Sequence, residues 1–420
     1  MKLRWPTALV LVAALLGAVF AAVSTADFVA HLDRQVHGLH CSFLPGVEAA
    51  EENSESGCHV ALMSPYSSFW RNGVWGGVPI ALPGLALFGF ILFWALNLWL
   101  GGRQSDPCAT GFLCLSTAVP VLTSVVMGYL AWRELGAACK LCIGIYVASL
   151  LAFVGALVLY RQAKRAAHIQ NATIEPATDP AADAAARGPL RRPAPMHRQA
   201  LLIAAGVAGL FIALPVLAYA LAAPDHSRYV GSCGDLARPG DPHKVLLPLG
   251  AQTGGVPAVE VLDPLCPACR GFEQRLLASG LADKLQRQAL LFPLDTACNW
   301  MVSQSIHPGA CAISEALLCA QGERAAVLDW AFAEQSRILE AARQDPKAAA
   351  RLVKSRFPAL ASCVGSATVR AKLNRALRWA VANQMPVVTP QLYVGGKKVC
   401  DADTDLGLDF VLSRLLEGRP

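Results

Sequence analysis

Five stretches of this chain are apolar for about 20 residues each, the length a helix needs to cross a hydrocarbon layer. They run approximately over residues 7–26, 78–100, 112–131, 141–160 and 200–222. Composition agrees with membrane spans, because 54% of the residues are hydrophobic and only 16% are charged, against about 25% charged in a soluble domain. A disordered or collagen-like chain is excluded by the same balance, since disorder requires few apolar residues and much charge. The net charge of +6 comes from basic residues that are dispersed except at segment flanks. It therefore reads as topology and not as a surface for nucleic acid, and no nucleic-acid partner is expected.

The first stretch has two readings. Lys2 and Arg4 precede it and Ser24, Thr25 and Ala26 end it, as in a secretory signal, yet its length exceeds the apolar core of roughly 7 to 15 residues that signals carry. An uncleaved helix is the preferred reading, and either one puts residues 27–77 outside. Orientation follows the excess of Lys and Arg in cytoplasmic loops. Residues 161–198 hold seven (Arg161, Lys164, Arg165, Arg187, Arg191, Arg192 and Arg198) against Glu175, Asp179 and Asp183, so this segment is expected to be cytoplasmic. Its middle, NATIEPATDPAADAAARGP, has no hydrophobic period and reads as a flexible tether. The expected division is a membrane domain over 1–160, a tether over 161–199, a fifth transmembrane helix over 200–222 and a soluble domain over 223–420. Residues 27–77, 132–140 and 223–420 then face outward.

Within the last segment, apolar β-type runs occur at KVLLPL, AVEVLD, ALLFPL and QLYVGG. AVEVLD leads directly into Cys266-Pro267-Ala268-Cys269 and the helical pattern GFEQRLL. A long helical stretch follows, and a second hairpin and helix close the region, an α/β arrangement.

Fourteen cysteines suit an oxidising compartment. On the expected topology all but Cys108 and Cys114 lie outside, and those two read as free thiols. Two outward pairs have C-x-x-C spacing, Cys139 with Cys142 and Cys266 with Cys269, and Cys41 and Cys58 lie in the long first loop. At a helix start the first thiol of such a motif meets unsatisfied backbone N–H groups and the positive end of the helix dipole, which favour the thiolate. The second cysteine then resolves the mixed disulfide. Pro267 suits the first turn, where no N–H is needed. Cys266 is expected to be the exposed, low-pKa member. Covalent haem attachment would need His after the motif, where Ile143 and Arg270 stand. The motifs are also too far apart for one four-cysteine zinc site. His37, His40, Cys41, Cys58 and His59 form a further cluster of metal-ligand types, but a thiol pair is the simpler reading of its cysteines, and no metal is expected.

Residues 27–160 resemble the vitamin K epoxide reductase family, a membrane four-helix bundle that makes disulfides and passes the electrons to a quinone. The resemblance rests on Gly57-Cys58-His59-Val60, Ser64-Pro65-Tyr66-Ser67, Gly77-Val78-Pro79, Gly84 and Cys139-Lys140-Leu141-Cys142 with Tyr146 one turn beyond. It implies that Cys41 and Cys58 shuttle electrons, that Cys139 accepts them, and that Cys142 adjoins a quinone, ubiquinone or menaquinone, which Tyr146 contacts.

Residues 243–417 resemble a thioredoxin-fold domain with a helical insertion, similar to bacterial periplasmic disulfide oxidases and isomerases. The matching residues are Asp263-Pro264-Leu265-Cys266-Pro267-Ala268-Cys269 and Thr389-Pro390. The resemblance implies a cis Pro390 facing the active-site sulfurs, with Thr389 beside them, both helping to bind substrate backbone. Six cysteines remain and permit 15 pairings; Cys298 with Cys311, Cys319 with Cys363, and Cys233 with Cys400 is the expected set. Together the resemblances imply an oxidoreductase of the bacterial inner membrane with its thioredoxin-fold domain in the periplasm. It would oxidise secreted or periplasmic proteins through Cys266/Cys269, Cys41/Cys58 and Cys139/Cys142, drawing on the quinone pool. The alternatives are a periplasmic thiol reductase or isomerase, and a metal-binding chaperone using His37, His40, Cys41 and Cys58.

Overall fold

The computed structural model describes residues 4–35, 57–135, 139–172, 198–250 and 254–418. Five helices are long and apolar enough to cross a membrane: α1 (Trp5–Ala30), α3 (Ala81–Leu100), α4 (Pro107–Leu130), α5 (Lys140–Ala172) and α6 (Arg198–Ala222), with the short α2 (Gly57–Met63) between the first two. Their starts follow local chemistry. Pro6 and Pro107 occupy first turns that need no N–H, and the Asp106 carboxylate accepts from the N–H groups of Cys108 and Ala109 at the head of α4.

Helix α1 packs on α3 and α5, α4 packs on α5 and α3, and α6 lies against α3, where Phe211 meets Phe90 and Phe93 at ring separations of 5.8 Å. Close approach of α1 and α5 requires a glycine, because a Cβ on Gly155 would stand 2.9 Å from Val10 and 3.0 Å from the Pro6 carbonyl oxygen. The first apolar run is thus a bundle helix, with Val10, Ala13 and Ala14 buried. Two boundaries differ from expectation. Helix α4 continues into a π-helical turn over Ala131–Leu135, and α5 runs through Arg161, Lys164 and Arg165 to Ala172. Part of the expected tether is therefore helix, because Gln, Ala, Lys and Arg propagate a helix well once packing has nucleated it. Residues 173–197 lie outside the described residues.

The C-terminal region is α/β. Apart from it, strands β1 (Ser68–Phe69) and β2 (Val78–Pro79) form a small antiparallel pair in the bundle segment, just before α3. A five-stranded sheet then has the order β3-β5-β4-β6-β7, from β3 (Leu247–Pro248), β4 (Val256–Leu262), β5 (Leu285–Leu291), β6 (Gln391–Val394) and β7 (Lys397–Lys398). Strands β4 and β5 are parallel, in register Val261 opposite Leu290, and the other pairs are antiparallel. The parallel pair needs a crossover, which is α7 (Pro267–Ala278).

Five helices separate β5 from β6: α8 (Ala310–Cys319), α9 (Arg324–Ala333), α10 (Gln335–Gln344), α11 (Ala348–Arg356) and α12 (Ala367–Ala382). They bury one apolar cluster, including Ile313, Leu317, Ile338 and Val353, continuous with Leu265, Cys266 and Cys269. Helix α13 (Leu408–Leu416) closes the region. Disulfides join Cys233 to Cys400, Cys298 to Cys311 and Cys319 to Cys363, the expected pairing.

Candidate functional site: two dithiol centres on either side of a short helix

Cys266 caps α7 and Pro267 occupies its first turn, so the sulfur stands where strand β4 gives way to a helix N-terminus. The turn is fixed by backbone bonds from Cys266 N–H to the Asp263 carbonyl (3.1 Å) and from Arg270 N–H to the Cys266 carbonyl (3.2 Å). The Thr389–Pro390 peptide is cis, and the Cys266 thiol points at the Thr389 carbonyl oxygen, 3.6 Å away. The hydroxyl of Thr389 is buried beside the same sulfur.

The expected exposure of Cys266 is corrected: it is only 5% exposed, because the helical insertion and the Thr389–Pro390 loop close over the turn. Its acidity follows expectation. Hydrogen bonding from Cys269, helped by Thr389 and His307, outweighs burial and the opposing Asp263 charge and brings the thiol down to about 7. Burial drives the Cys269 thiol the other way, well above its ordinary value.

At the bundle end, Cys139 stands immediately before α5 and Cys142 lies in its first turn. The Cys142 N–H lies 3.3 Å from the Cys139 sulfur. Cys58, on α2, is disulfide-bonded; its expected partner Cys41 lies outside the described residues, as do His37 and His40. Cys58, Cys139 and Leu141 form one buried cluster, with Phe20, Ala61 and Cys142 against it. A cavity of about 700 Å³ reaches all three cysteines and Tyr146. Its lining otherwise includes Met127, Ile143 and Leu130, and its size falls in the range of roughly 300–1,000 Å³ that holds drug-sized ligands. Cys108 and Cys114 are free thiols on α4.

A second cavity, of about 420 Å³, lies on the other side of α2. His59, Val60 and Met63 line it from α2, and Pro267, Ala268 and Pro390 line it from the Cys266 turn. The seven residues of α2 thus separate the two dithiol centres, with Cys58 toward one cavity and His59 toward the other. Among the described residues no group of three or more Cys, His, Asp or Glu is placed to hold a metal ion.

Sequence reasoning missed what seats the sheet against the bundle. Arg275, on α7 between the buried Phe272 and Leu276, is itself buried. It donates to the carbonyls of Met63 and Ser64, the latter at 3.0 Å, at the C-terminal end of α2. Its guanidinium lies 3.7 Å from Asp409 of α13, whose other oxygen is 3.5 Å from Arg71. Arg34 makes a bidentate pair with Asp403 at 2.9 Å, and the Trp75 indole donates to the same carboxylate at 3.1 Å. Around these bonds Phe28, Leu32 and Trp75 share a core with Phe272, Leu276, Leu406 and Leu408. The available signal was a lone arginine inside the apolar stripe of α7; its partners are too distant in sequence to read.

A multi-helix apolar bundle holding cysteine pairs, joined to an α/β region with a C-x-x-C turn, defines a membrane-type thiol–disulfide protein. Residues 8–157 match the model of the Vitamin K epoxide reductase family, just over a third of the chain, and form a domain of that family. Members of the family are multi-pass membrane oxidoreductases whose disulfide chemistry is linked to quinones. The match begins inside α1, so the first helix belongs to the domain. No curated protein matches the chain.

Proposed function

We propose that this chain is a disulfide-generating oxidoreductase of the bacterial inner membrane, with its C-terminal region, a thioredoxin-like fold, on the periplasmic side. In this reading residues 1–160 are the membrane domain, 161–199 a cytoplasmic connection, 200–222 a fifth span and 223–420 the domain that meets substrate. A substrate thiolate attacks the Cys266–Cys269 disulfide at Cys266, and Cys269 leaves with the bonding electrons. The second substrate thiolate attacks its own sulfur in the mixed disulfide and Cys266 leaves. The substrate has then lost two electrons and the pair has gained them. Cys266 and Cys269 next reduce Cys41–Cys58, and Cys58 exchanges with Cys139, leaving Cys139 and Cys142 as a dithiol.

A quinone, ubiquinone or menaquinone, would fit the cavity beside Cys142 and Tyr146 and supply a two-electron, two-proton acceptor. Thr389 and Pro390 are the proposed contacts for substrate backbone, a role supported by the position of their cis peptide beside the Cys266 sulfur. The partners are then secreted or periplasmic proteins with free thiols.

The observation that carries the reading is the single cavity reaching Cys58, Cys139, Cys142 and Tyr146. It puts the loop cysteine and the membrane pair beside one ligand-sized space. The test is quinone reduction by the purified full chain, driven by a reduced unfolded protein. Turnover is expected in the parent and absent in Cys142→Ala, with the fold of the variant checked by thermal melting. Undiminished turnover in that variant would end the proposal.

A further inference from the structure

Helix α2 carries Cys58, yet its seven residues are too few to hold a helix in place by themselves. Its two sides are gripped by different parts of the molecule. Cys58 and Ala61 pack with Cys139, Leu141 and Cys142 of the bundle. Leu62 and Met63 instead pack into the core that Phe272 and Leu276 of α7 share with Phe28 and Trp75. Apolar packing is non-directional and sets no register for so short an element. Directional bonds can, because the last carbonyls of any helix lack partners within it.

Arg275 supplies those bonds from α7, the helix that Cys266 caps. Its Nη2 donates to both the Met63 and the Ser64 carbonyl, the latter at 3.0 Å, and its Nη1 faces Asp409 at 3.7 Å. The Ser64 carbonyl also accepts from the Ser67 N–H at 3.2 Å and the Ser67 hydroxyl at 2.9 Å, and the Ser67 carbonyl accepts from the Ile80 N–H at 2.9 Å, just ahead of α3. One planar guanidinium thus joins the end of the Cys58 helix, the Cys266 helix and α13. An apolar side chain between Phe272 and Leu276 would bury the same face without desolvating a charge, so seating the region does not by itself call for a cation.

We propose that Arg275 is a positioning residue for the exchange between Cys58 and Cys139: by holding the end of α2 it keeps Cys58 within bonding reach of Cys139, so that the α/β region completes the geometry of the bundle's own thiol centre. The inference rests on the reading of those two sulfurs as exchange partners. A disulfide demands Cα atoms about 4.4–6.8 Å apart, and a misplacement of about 1 Å can cost about a hundredfold in rate. A slip of α2 by a fraction of a turn exceeds that tolerance, because one turn rises about 5.4 Å.

The test uses the full chain with Cys41→Ala and Cys142→Ala, which leaves Cys58 and Cys139 as the single thiols of their pairs. The protein is equilibrated with reduced and oxidised glutathione, and the Cys58–Cys139 bond is counted by alkylation and peptide mass spectrometry. Forming the bond takes two electrons and two protons from the two thiols and turns one glutathione disulfide into two glutathione thiols. The bonded fraction therefore reads the effective concentration of one sulfur at the other. Adding Arg275→Met is expected to lower that concentration about tenfold. Arg275→Lys, which keeps the charge and loses the planar fork, is expected to lower it about threefold. Arg34→Gln breaks the pair with Asp403, a contact that seats the same region without touching α2, and is expected to leave the concentration unchanged within about twofold.

An undiminished value in Arg275→Met overturns the proposal, and so does an equal fall in Arg34→Gln, which would make the effect one of docking in general. If Arg275→Met does not melt cooperatively, Arg275→Lys decides by the same two criteria. Absence of any Cys58–Cys139 bond in the starting chain would remove the relay and the inference together, whereas a bond indifferent to Arg275 would remove the positioning role alone.

Discussion

Cys266 is acidic because its neighbours favour charge on it by more than its burial disfavours it, and this makes the stability of the reduced protein depend on pH. A thiol whose folded value lies below its unfolded one adds stability above the unfolded value, and that stability is lost as pH falls through the folded value. With the folded value near 7 and the ordinary one at 9.0, the dithiol form should gain stability relative to the disulfide form as pH rises through that window. Melting temperatures of the two redox forms across the window measure it; parallel curves would contradict the assignment. Arg275 is the other residue whose burial has consequences. Desolvation lowers its basicity to about 10, which still leaves it charged at neutral pH. Arg275→Met leaves Asp409 with Arg71 alone and strands two backbone carbonyls, and is expected to cost about 2–4 kcal/mol in denaturant unfolding. Combining it with Asp409→Leu should recover part of that loss. The position of Arg275 in an apolar stripe was the one sequence signal, and Asp409 carried none, because a charged residue is read as solvated until its partners are known.

Among the elements, the helices of the insertion pack on one another and only partly on the sheet, so their covalent ties matter. Closing 44 residues, the Cys319–Cys363 bridge is expected to contribute about 4 kcal/mol by restricting the unfolded chain, and Cys298–Cys311, closing 13, about 3 kcal/mol. Replacing both members of the first pair by Ser should therefore lower the denaturant midpoint more than replacing both members of the second. These elements were largely legible. Strand β4, the C-x-x-C turn and α7 follow from an apolar run meeting Cys-Pro and then a 3.6-residue period. The ends of α4 and α5 were not, because a helix nucleated in an apolar span continues through polar residues that hydropathy assigns to a loop. The short α2 was also illegible, although it divides the two cavities, since seven residues carry too little periodicity to read.

At the scale of the whole molecule, the α/β region sits on the bundle through a packed and hydrogen-bonded surface. Proximity of the two dithiol centres thus comes from docking, in addition to any effective concentration that a chain connection provides. Gly407 is the sensitive point, because a Cβ there would lie 2.4 Å from the Trp75 indole nitrogen. Gly407→Val is expected to loosen the seat and slow reoxidation of Cys266 and Cys269 severalfold, while quinone reduction by a small dithiol that reaches the bundle directly stays unchanged. Rapid-quench alkylation follows the first rate and quinone absorbance the second. An unchanged reoxidation rate would mean that docking does not limit transfer.

Hydropathy, cysteine spacing and the Cys-Pro turn are properties of neighbouring residues, so the chain's order of letters was enough to set the spans, the C-x-x-C pairs and the α/β character of the last region. The cover over Cys266, the seat around Arg275 and Trp75, and the cavity joining Cys58 to Cys142 bring together residues far apart along the chain. Only folding decides those, because each depends on which buried charge finds which partner once water has been excluded.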